Sequence, residues 1–580
     1  MDLAAVMLPG LRGFTTWPDP SKMRFRLSLA ASTLVLAAAC GGEKARSVGN
    51  TSDGGTLIIA TLAEPANVIP PFVIDVDSRR VEDLVFEHLA EIDTTLNTLD
   101  DKSFSPRIAE KWTWAPDSLS IAFSINPKAR WHDGKPVTAS DVRYSFNMFA
   151  DPKVESVAAS LLGNVDSVSV RDSLTAVVFF KKRTPEQFYD IAYQVYVFPE
   201  HVYGSVAPEK LRTDPVTKTL VGSNRFRVGR WEPGSGRIEL LADTANYRGR
   251  AKLDRVIFVK TEPAAAAAQI RSGQADGMEA FPVDQLSTLD SNQFAHGVAW
   301  PQLSYAFMAM NRFMPKSTTV PNPIFSDLRM RRALSMAVDR EAMLHNVFGP
   351  TAKNIGHGPF AMSASYADPT LVPPPYDTAK AAAMMDSSGW RRGPDGMRAK
   401  NGKPLRFSLS VGPSFYRKKY AVLLQEEFKK AGVQVDIDQL DNSAFVEKRA
   451  KHGFEAAVDN FSPDPSVAGT KQSWTTAGFL PAGENALRYS NPRVDAWIDS
   501  ATTTFNLAKS KAYSSRAFHQ IVDDAPAIWL YDGSFTNAFS RRITMAAMRP
   551  DGWWVNLADW SIDPAKRIQR DSLGLTQPKN

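Results

Sequence analysis

"WHDGKPVTASDV" occupies residues 131–142. Asp133-Gly134 marks a tight turn, because these residues tolerate the backbone angles that turns demand. Thr138 and Asp141 stand at the spacing of a helix capping box, in which the first side chain caps an amide and the second reaches back. Val142, Phe146 and Phe149 then recur on one helical face. Upstream, "SLSIAFSIN" (118–126) alternates as a half-buried strand does. The stretch therefore predicts strand, turn, helix. Trp131 and His132 read as packing and turn residues, not catalytic ones.

The same mixture of periods extends in both directions. Thr56–Ala60 is a short apolar strand signal. Residues 79–91 place Val81, Leu84, Val85 and Leu89 at helical spacing. Residues 226–261 read as several strands broken by "PGSG" and "NYRGR". An Ala-rich helix follows, ends at Gly273 and gives way to a short strand. Residues 325–349 predict a helix pair. Ser326 is the expected cap of its first helix, with Ala333, Leu334, Ala337 and Val338 as the apolar stripe. Asp339 is the expected cap of the second, and Gly349 its end. Strands at 405–411 and 433–440 flank a helix at 416–431. This is α/β patterning, and no internal repeat is evident.

A chain of 580 residues is too long for one ordinary domain, so two or three lobes are expected. Apolar residues at 43% and charged residues at 22% fit a globular protein with large cores. Thirteen Trp and fourteen Tyr suit such cores and also a cleft for amphipathic ligands. The net charge is +6, two units of it within the first 39 residues. No dense Lys/Arg run is present, so nucleic acid is not an expected partner.

The single cysteine, Cys40, follows "MRFRLSLAASTLVLAAA" (23–39). Arg24 and Arg26 form a basic head. The apolar run of 27–39 is shorter than the ~20 residues that span a bilayer. It fits a secretory signal ending in small residues. The Ala-Ala-Ala-Cys junction resembles a bacterial lipoprotein signal, with Ala37 where Leu is usual. That resemblance implies lipidation of Cys40 and cleavage before it. We expect a start at Met23, a signal segment within 1–39, a tether at 40–53, and a protein held at an extracytoplasmic membrane face. One cysteine forms no internal disulfide, so stability must come from apolar cores.

Six stretches, in order, resemble family 5 extracytoplasmic solute-binding proteins, the peptide/nickel-type binding subunits of ATP-driven importers. They are "WHDGKPVTASDV", "VGSNRF" (221–226), "ANYRG" (245–249), "IRSGQADG" (270–277), the series at 310–341 and "RYSNPRVDAWIDSA" (488–501). The resemblance covers about residues 54–545. It implies an α/β, two-lobed periplasmic-binding-protein fold with an interlobe cleft, two crossing hinge strands and a subdomain inserted in lobe one. By carry-over, lobe one holds 54–85, 216–304 and 530–580. The inserted subdomain is 86–215, and lobe two is 305–529. Arg331, Asp339 and Arg340 are implied scaffold residues.

The resemblance also implies the cleft lining: the loop at Asp75, Val76 and Asp77, the crossing strand near Phe307 and Asn311, and "VDNFSPDP" (458–465). Peptide binders of the family hold the ligand's amino terminus with an Asp shortly before a Pro. The register of Asp464-Pro465 puts Phe461 and Ser462 there. Asp459 lies two residues earlier than Phe461, on the same face of a strand, and can substitute; a solvated or capping carboxylate is the alternative. Phe461 and Trp474 offer apolar or sugar-stacking surface.

The expected activity is capture, not catalysis. No Gly-x-Ser-x-Gly elbow, phosphate loop or His-Glu-x-x-His occurs. The eight His are not at metal-ligand spacing, so no metal or cofactor is expected. The implied partners are a peptide or other small solute, with oligosaccharide or a nickel chelate as alternatives, an ABC permease, and the membrane through a lipid anchor. The protein is expected to act as a monomer.

Overall fold

The computed structural model describes residues 53–572, apart from Ile74, Val157, Pro481 and Ala482. Cys40 and the signal segment lie outside the described residues. The strands that matter here are β1 (Thr56–Thr61), β2 (Ala109–Trp114), β3 (Ser120–Ile125), β4 (Val165–Asp172), β5 (Thr175–Phe180), β6 (Phe226–Trp231) and β7 (Arg237–Ala242). They continue with β8 (Arg255–Lys260), β9 (Gly277–Met278), β10 (Ala295–Met310), β11 (Arg406–Val411), β12 (Gln434–Gln439), β13 (Ala456–Phe461) and β14 (Ala527–Ser540). The helices are α1 (Val76–Val85), α2 (Ala139–Ala150), α3 (Gln187–Ala192), α4 (Pro263–Ser272), α5 (Leu328–Met336), α6 (Arg340–Phe348), α7 (Phe415–Lys430) and α8 (Ala468–Trp474).

Ten strands form one sheet, in the order β6-β7-β8-β1-β9-β14-β10-β13-β11-β12. The pairings β8-β1-β9 are parallel, as are β13-β11-β12. Between these two sections run β14 and β10, paired antiparallel from Ala295↔Ser540 to Ala309↔Ala527. They are the long strands that the two-lobed reading expects. A separate four-stranded antiparallel sheet, β2-β3-β5-β4, occupies the region expected as the insertion.

The core follows from strand alternation. Along β10, Tyr305, Phe307 and Ala309 enter one apolar cluster, while Ala306, Met308 and Met310 enter another. Successive side chains point to opposite faces, so both faces of this strand end are buried. The second cluster also holds Phe407 and Leu409 of β11, Leu424 and Phe428 of α7, and Val458 of β13. In the first section, the small side chains Ala266 and Ala267 let α4 pack close to Ala60 and Met278. Among the described residues no helix is long and apolar enough to cross a membrane.

The stretch at 131–142 folds as turn and helix. The Asp141 carboxylate accepts from the Thr138 amide at 2.8 Å and from its hydroxyl at 2.9 Å, which is the reach-back half of the capping box. Val142, Phe146 and Phe149 are buried. His132 is a structural tie: Nδ1 accepts from the Gly222 amide at 3.1 Å, so Nε2 carries the hydrogen and donates to the Asn224 carbonyl at 2.8 Å. Burial lowers its pKa, which suits a neutral ring using one nitrogen each way.

Three local expectations need correction. Leu89 is buried but lies beyond α1, which stops at Val85; Phe86 is extended and Glu87–His88 pair with Tyr196–Val197. The cap of α5 is Asp327, whose carboxylate accepts from the Arg329 amide at 2.9 Å, not Ser326. The segment Asp75–Asp77 is the start of α1 and not a loop. Asp339 does cap α6, accepting from the Ala342 amide at 3.0 Å. Arg331 donates to the carbonyls of Asp524, Ala525 and Phe325 and so closes a helix end.

Gly222 lies so close to α1 that a Cβ would sit 1.9 Å from the Val85 carbonyl oxygen, a backbone atom that cannot step aside. Gly222→Ala should therefore lower the thermal melting temperature, with a cost of about 2–3 kcal/mol or more. At Gly163 a Cβ meets nothing within 4 Å, and Gly163→Ala should change stability by less than ~0.5 kcal/mol. Equal melting temperatures for the two variants would contradict the tight approach.

Candidate functional site

Strand β13 lies between β10 and β11, with Asp459 opposite Phe307 and Phe461 opposite Tyr305. Two residues apart on one strand, Asp459 and Phe461 face the same side. Both line a narrow pocket together with Phe307, Arg449, Phe454 and Leu487. The rings of Phe307 and Phe461 lie 5.1 Å apart. Trp474, fully buried at the end of α8, meets Phe307 edge-on at 5.4 Å and Phe461 at 5.9 Å. Its Nε1 donates to the Tyr305 hydroxyl at 2.8 Å. Asn311, just past β10, donates from Nδ2 to the Phe454 carbonyl at 2.9 Å and so ties down backbone.

Asp459 has a cation of its own. Its Oδ2 lies 3.0 Å from Arg449 Nε, and the guanidinium sits over the Phe461 ring at 5.3 Å. A carboxylate already paired with a guanidinium has little field left for a second cation. To serve as an amine clamp it would have to exchange Arg449 for the ligand.

The residues at the start of α1 have helix-forming partners. Asp75 accepts from the Ser78 amide at 2.8 Å and from its hydroxyl at 2.6 Å. Asp77 pairs with Arg80 at 3.0 Å, and Arg80 also reaches Glu279 at 2.6 Å. Val76 is 60% exposed. None of the three lines the Asp459 pocket.

A second polar cluster lies at the join between the region of the four-stranded sheet and the segment after β13. Glu186 precedes α3. It accepts from the Thr98 hydroxyl at 2.6 Å and, across the join, from the Ser466 hydroxyl at 2.7 Å. The Ser466 amide donates to Asp464 at 3.2 Å. One serine thus holds two carboxylates. Asp190 lies one helical turn beyond Glu186 on the same face, its amide donating to the Glu186 carbonyl. No ion pair reaches Glu186, Asp190 or Asp464 among the described residues. The protein packed around Asp464, with Glu186 adding, raises it to about 6, although its side chain is exposed at the surface. Burial, with Glu186 and Asp464 adding, raises Asp190 well above the carboxylate range. Glu186 is raised by burial as well.

Sequence reading used Asp464 only to set register and passed over Glu186 and Asp190. Their four-residue spacing was visible, but not what that helix face meets. A larger cavity lies elsewhere, between the end of α1 and residues 224–226 and 555–559. Its charges pair internally, Arg248 with Glu87 at 2.7 Å and Arg225 with Asp559 at 2.7 Å. We therefore place the candidate site at the join and β13. Among the described residues no group of three His, Cys, Asp or Glu is placed to hold a metal ion.

The oligopeptide-binding protein AppA of Bacillus subtilis is 25% identical over 519 residues, 87% of this chain and 92% of AppA. The structure of B. subtilis AppA in complex with a nonapeptide matches with a TM-score of 0.70 at 23% identity, covering 88% of this chain and 99% of AppA. NikZ of Campylobacter jejuni in complex with Ni(L-His) matches with a TM-score of 0.71 at 23% identity, covering 87% and 99%. These likenesses bear out the two-lobed fold. Residues 103–478 match the family described as "Bacterial extracellular solute-binding proteins, family 5 Middle", and the chain belongs to that family.

Proposed function

We propose that this protein is the extracytoplasmic binding subunit of an ABC importer, capturing peptides in a cleft between two lobes and delivering them to a membrane permease. The observation that carries this is the architecture. Two sheet sections are joined through β10 and β14, while side chains from the inserted region and from the segment after β13 meet at Glu186 and Ser466. Such a join can open and shut by hinge motion. The near full-length similarity to an oligopeptide-binding protein selects peptide as the ligand. A strand-lined cleft suits it, since main-chain hydrogen bonding accepts many sequences.

In this reading lobe one is 54–85, 216–304 and 530–580, the inserted subdomain is 86–215, and lobe two is 305–529. The ligand lies against Asp459–Phe461, with Phe307 and Trp474 behind it, Asn311 holding the strand end, and Asp75–Asp77 contributed by lobe one. The protein works as a binder without catalysis, as a monomer, and Cys40 carries the lipid that holds it near its permease. Two acyl chains are needed for stable attachment, because one anchors only marginally. The similarity to NikZ keeps a nickel chelate as the second reading.

Three measurements check this. Protein purified from its native membrane and denatured should release a mixture of peptides by mass spectrometry; a bound metal chelate or a single glycan would overturn the peptide reading. Asp459→Ala should weaken peptide affinity, and unchanged affinity would remove Asp459 from the site. Cys40→Ser should move the protein from the membrane fraction to the soluble fraction; persistent membrane association would exclude a lipid anchor there.

A further inference from the structure

Two contacts bridge the join outside the Asp459 pocket, and both leave the inserted region from one short segment. The first is the hydrogen bond from the Ser466 hydroxyl to Glu186. The second lies three residues earlier, where Arg183 Cζ sits 4.2 Å from the centre of the Phe505 ring. Neither Arg183 nor Phe505 lines the Asp459 pocket. Among the described residues Arg183 has no carboxylate at ion-pair distance. Phe505 is 46% exposed, so it is not held in place by a core of its own. A guanidinium over a ring face is attracted by the ring's quadrupole.

Both side chains stand on fixed backbone. Asn164 Nδ2 donates to the Lys182 carbonyl at 2.9 Å and to the Thr184 hydroxyl at 3.2 Å, gripping the chain on either side of Arg183. The Thr184 amide donates to Gln187 Oε1 at 2.8 Å, and Gln187 Nε2 donates to the Ser118 carbonyl at 2.9 Å. Phe505 occupies the short turn between the helices Pro492–Thr503 and Leu507–Asp524. Asn506 caps the second of these, accepting from the Lys509 amide at 3.0 Å. The Ser510 hydroxyl donates to the Ala501 carbonyl at 2.9 Å and ties the two helices together. A contact between groups already held in position loses little entropy when it forms.

The first contact leads toward the site. Ser466 Oγ also accepts from the Ala468 amide at 2.9 Å, at the start of α8. That helix ends in Trp474, which packs on Phe307 and Phe461. Glu186 therefore holds the helix that backs the pocket.

We propose that Arg183 and Phe505 form a latch that keeps the join shut, acting beside the Glu186–Ser466 hydrogen bond and touching no solute. Arg183 belongs to the inserted region and Phe505 to lobe two, so the pair is made only in the shut form. Both sides of the latch are protein, and it adds equally to the hold on every solute. It raises affinity without choosing among ligands. Its loss speeds release and leaves encounter unchanged, because the pair forms after the solute has entered. The inference rests on the hinge-closing reading above.

The test is pulsed dipolar spectroscopy on the full chain carrying Cys40→Ser, with spin labels at Ser167→Cys and Lys511→Cys. Both positions are exposed, one on β4 in the inserted region and one on the helix that follows Phe505. The probe is a random pentapeptide library added in steps, and the readout is the library concentration that shuts half of the molecules. Arg183→Gln and Phe505→Leu should each raise it about two- to fivefold. The two together should raise it no further than either alone, since the same contact is lost. Arg183→Lys and Phe505→Trp keep a cation and a ring face, and should stay close to the parent chain. A half-closing concentration equal in all variants would overturn the latch and leave closure on peptide standing, as would effects of the two residues that add in full. A label distance that the library does not move in the parent chain would overturn closure on peptide itself, and the latch with it.

Discussion

The antiparallel pairing of Ala295–Met310 with Ala527–Ser540 is the constraint on which the rest of this structure depends. These segments are far apart in sequence, and between them the chain builds a whole section of sheet with its covering helices. The ladder is continuous at its two ends and shifts register between Pro301 and Tyr305. Pro301 lacks an amide hydrogen and cannot complete the ladder there. Opposite the shift, Gly533 approaches Ser304 so closely that a Cβ would lie 2.6 Å from the serine Cβ. A register shift, a proline and a bare glycine in one place give the pair a weak point in hydrogen bonding with little side-chain bulk. A bend there costs less than anywhere along the regular ladder.

A second set of ties joins the turn at 131–134 to the segments around β6 and to the end of α1. His132 joins the turn at 131–134 to Gly222 and Asn224, and Asn246 Nδ2 donates to the Ser223 carbonyl at 2.8 Å. Gly222 abuts the end of α1, and the amides of Ser223 and Asn224 both donate to the Val85 carbonyl. The sequence stretches that carry the family likeness therefore lock onto one another. They describe the frame, which is why they identify the family and are silent about what it binds.

This explains what could be read in the sequence and what could not. Strand and helix signals at 118–149, 226–273 and 405–440 were local, set by side-chain period and by turn residues, and the structure keeps them. Errors arose at element ends, where a local signal met a competing partner. At α5, Asp327 outcompetes Ser326 for the helix amides, being charged and one residue nearer. At the end of α1, Leu89 keeps the helical spacing by chance while Glu87 and His88 pair with a distant strand. For the site, strand alternation put Asp459 and Phe461 on one face, while Phe307 was placed by the resemblance; the structure sets Phe307 opposite Asp459. The Arg449 partner of Asp459 was illegible, because it comes from outside the strand. The cluster of Glu186, Asp190 and Asp464 was illegible for the same reason: its members lie far apart in sequence and meet only through the tertiary fold.

Charge pairing then separates two carboxylates that the sequence places five residues apart. Asp459 is paired with a guanidinium that also sits over the Phe461 ring, an arrangement that is complete without ligand. Asp464 is exposed at the surface, yet the protein packed around it, with Glu186 adding, raises it to about 6. The contrast is set by neighbours: a guanidinium beside a carboxylate favours its ionised form, and other acids nearby disfavour it. Five residues of chain thus hold one carboxylate paired with a cation and one beside other acids, a difference that the tertiary fold imposes and the local sequence does not.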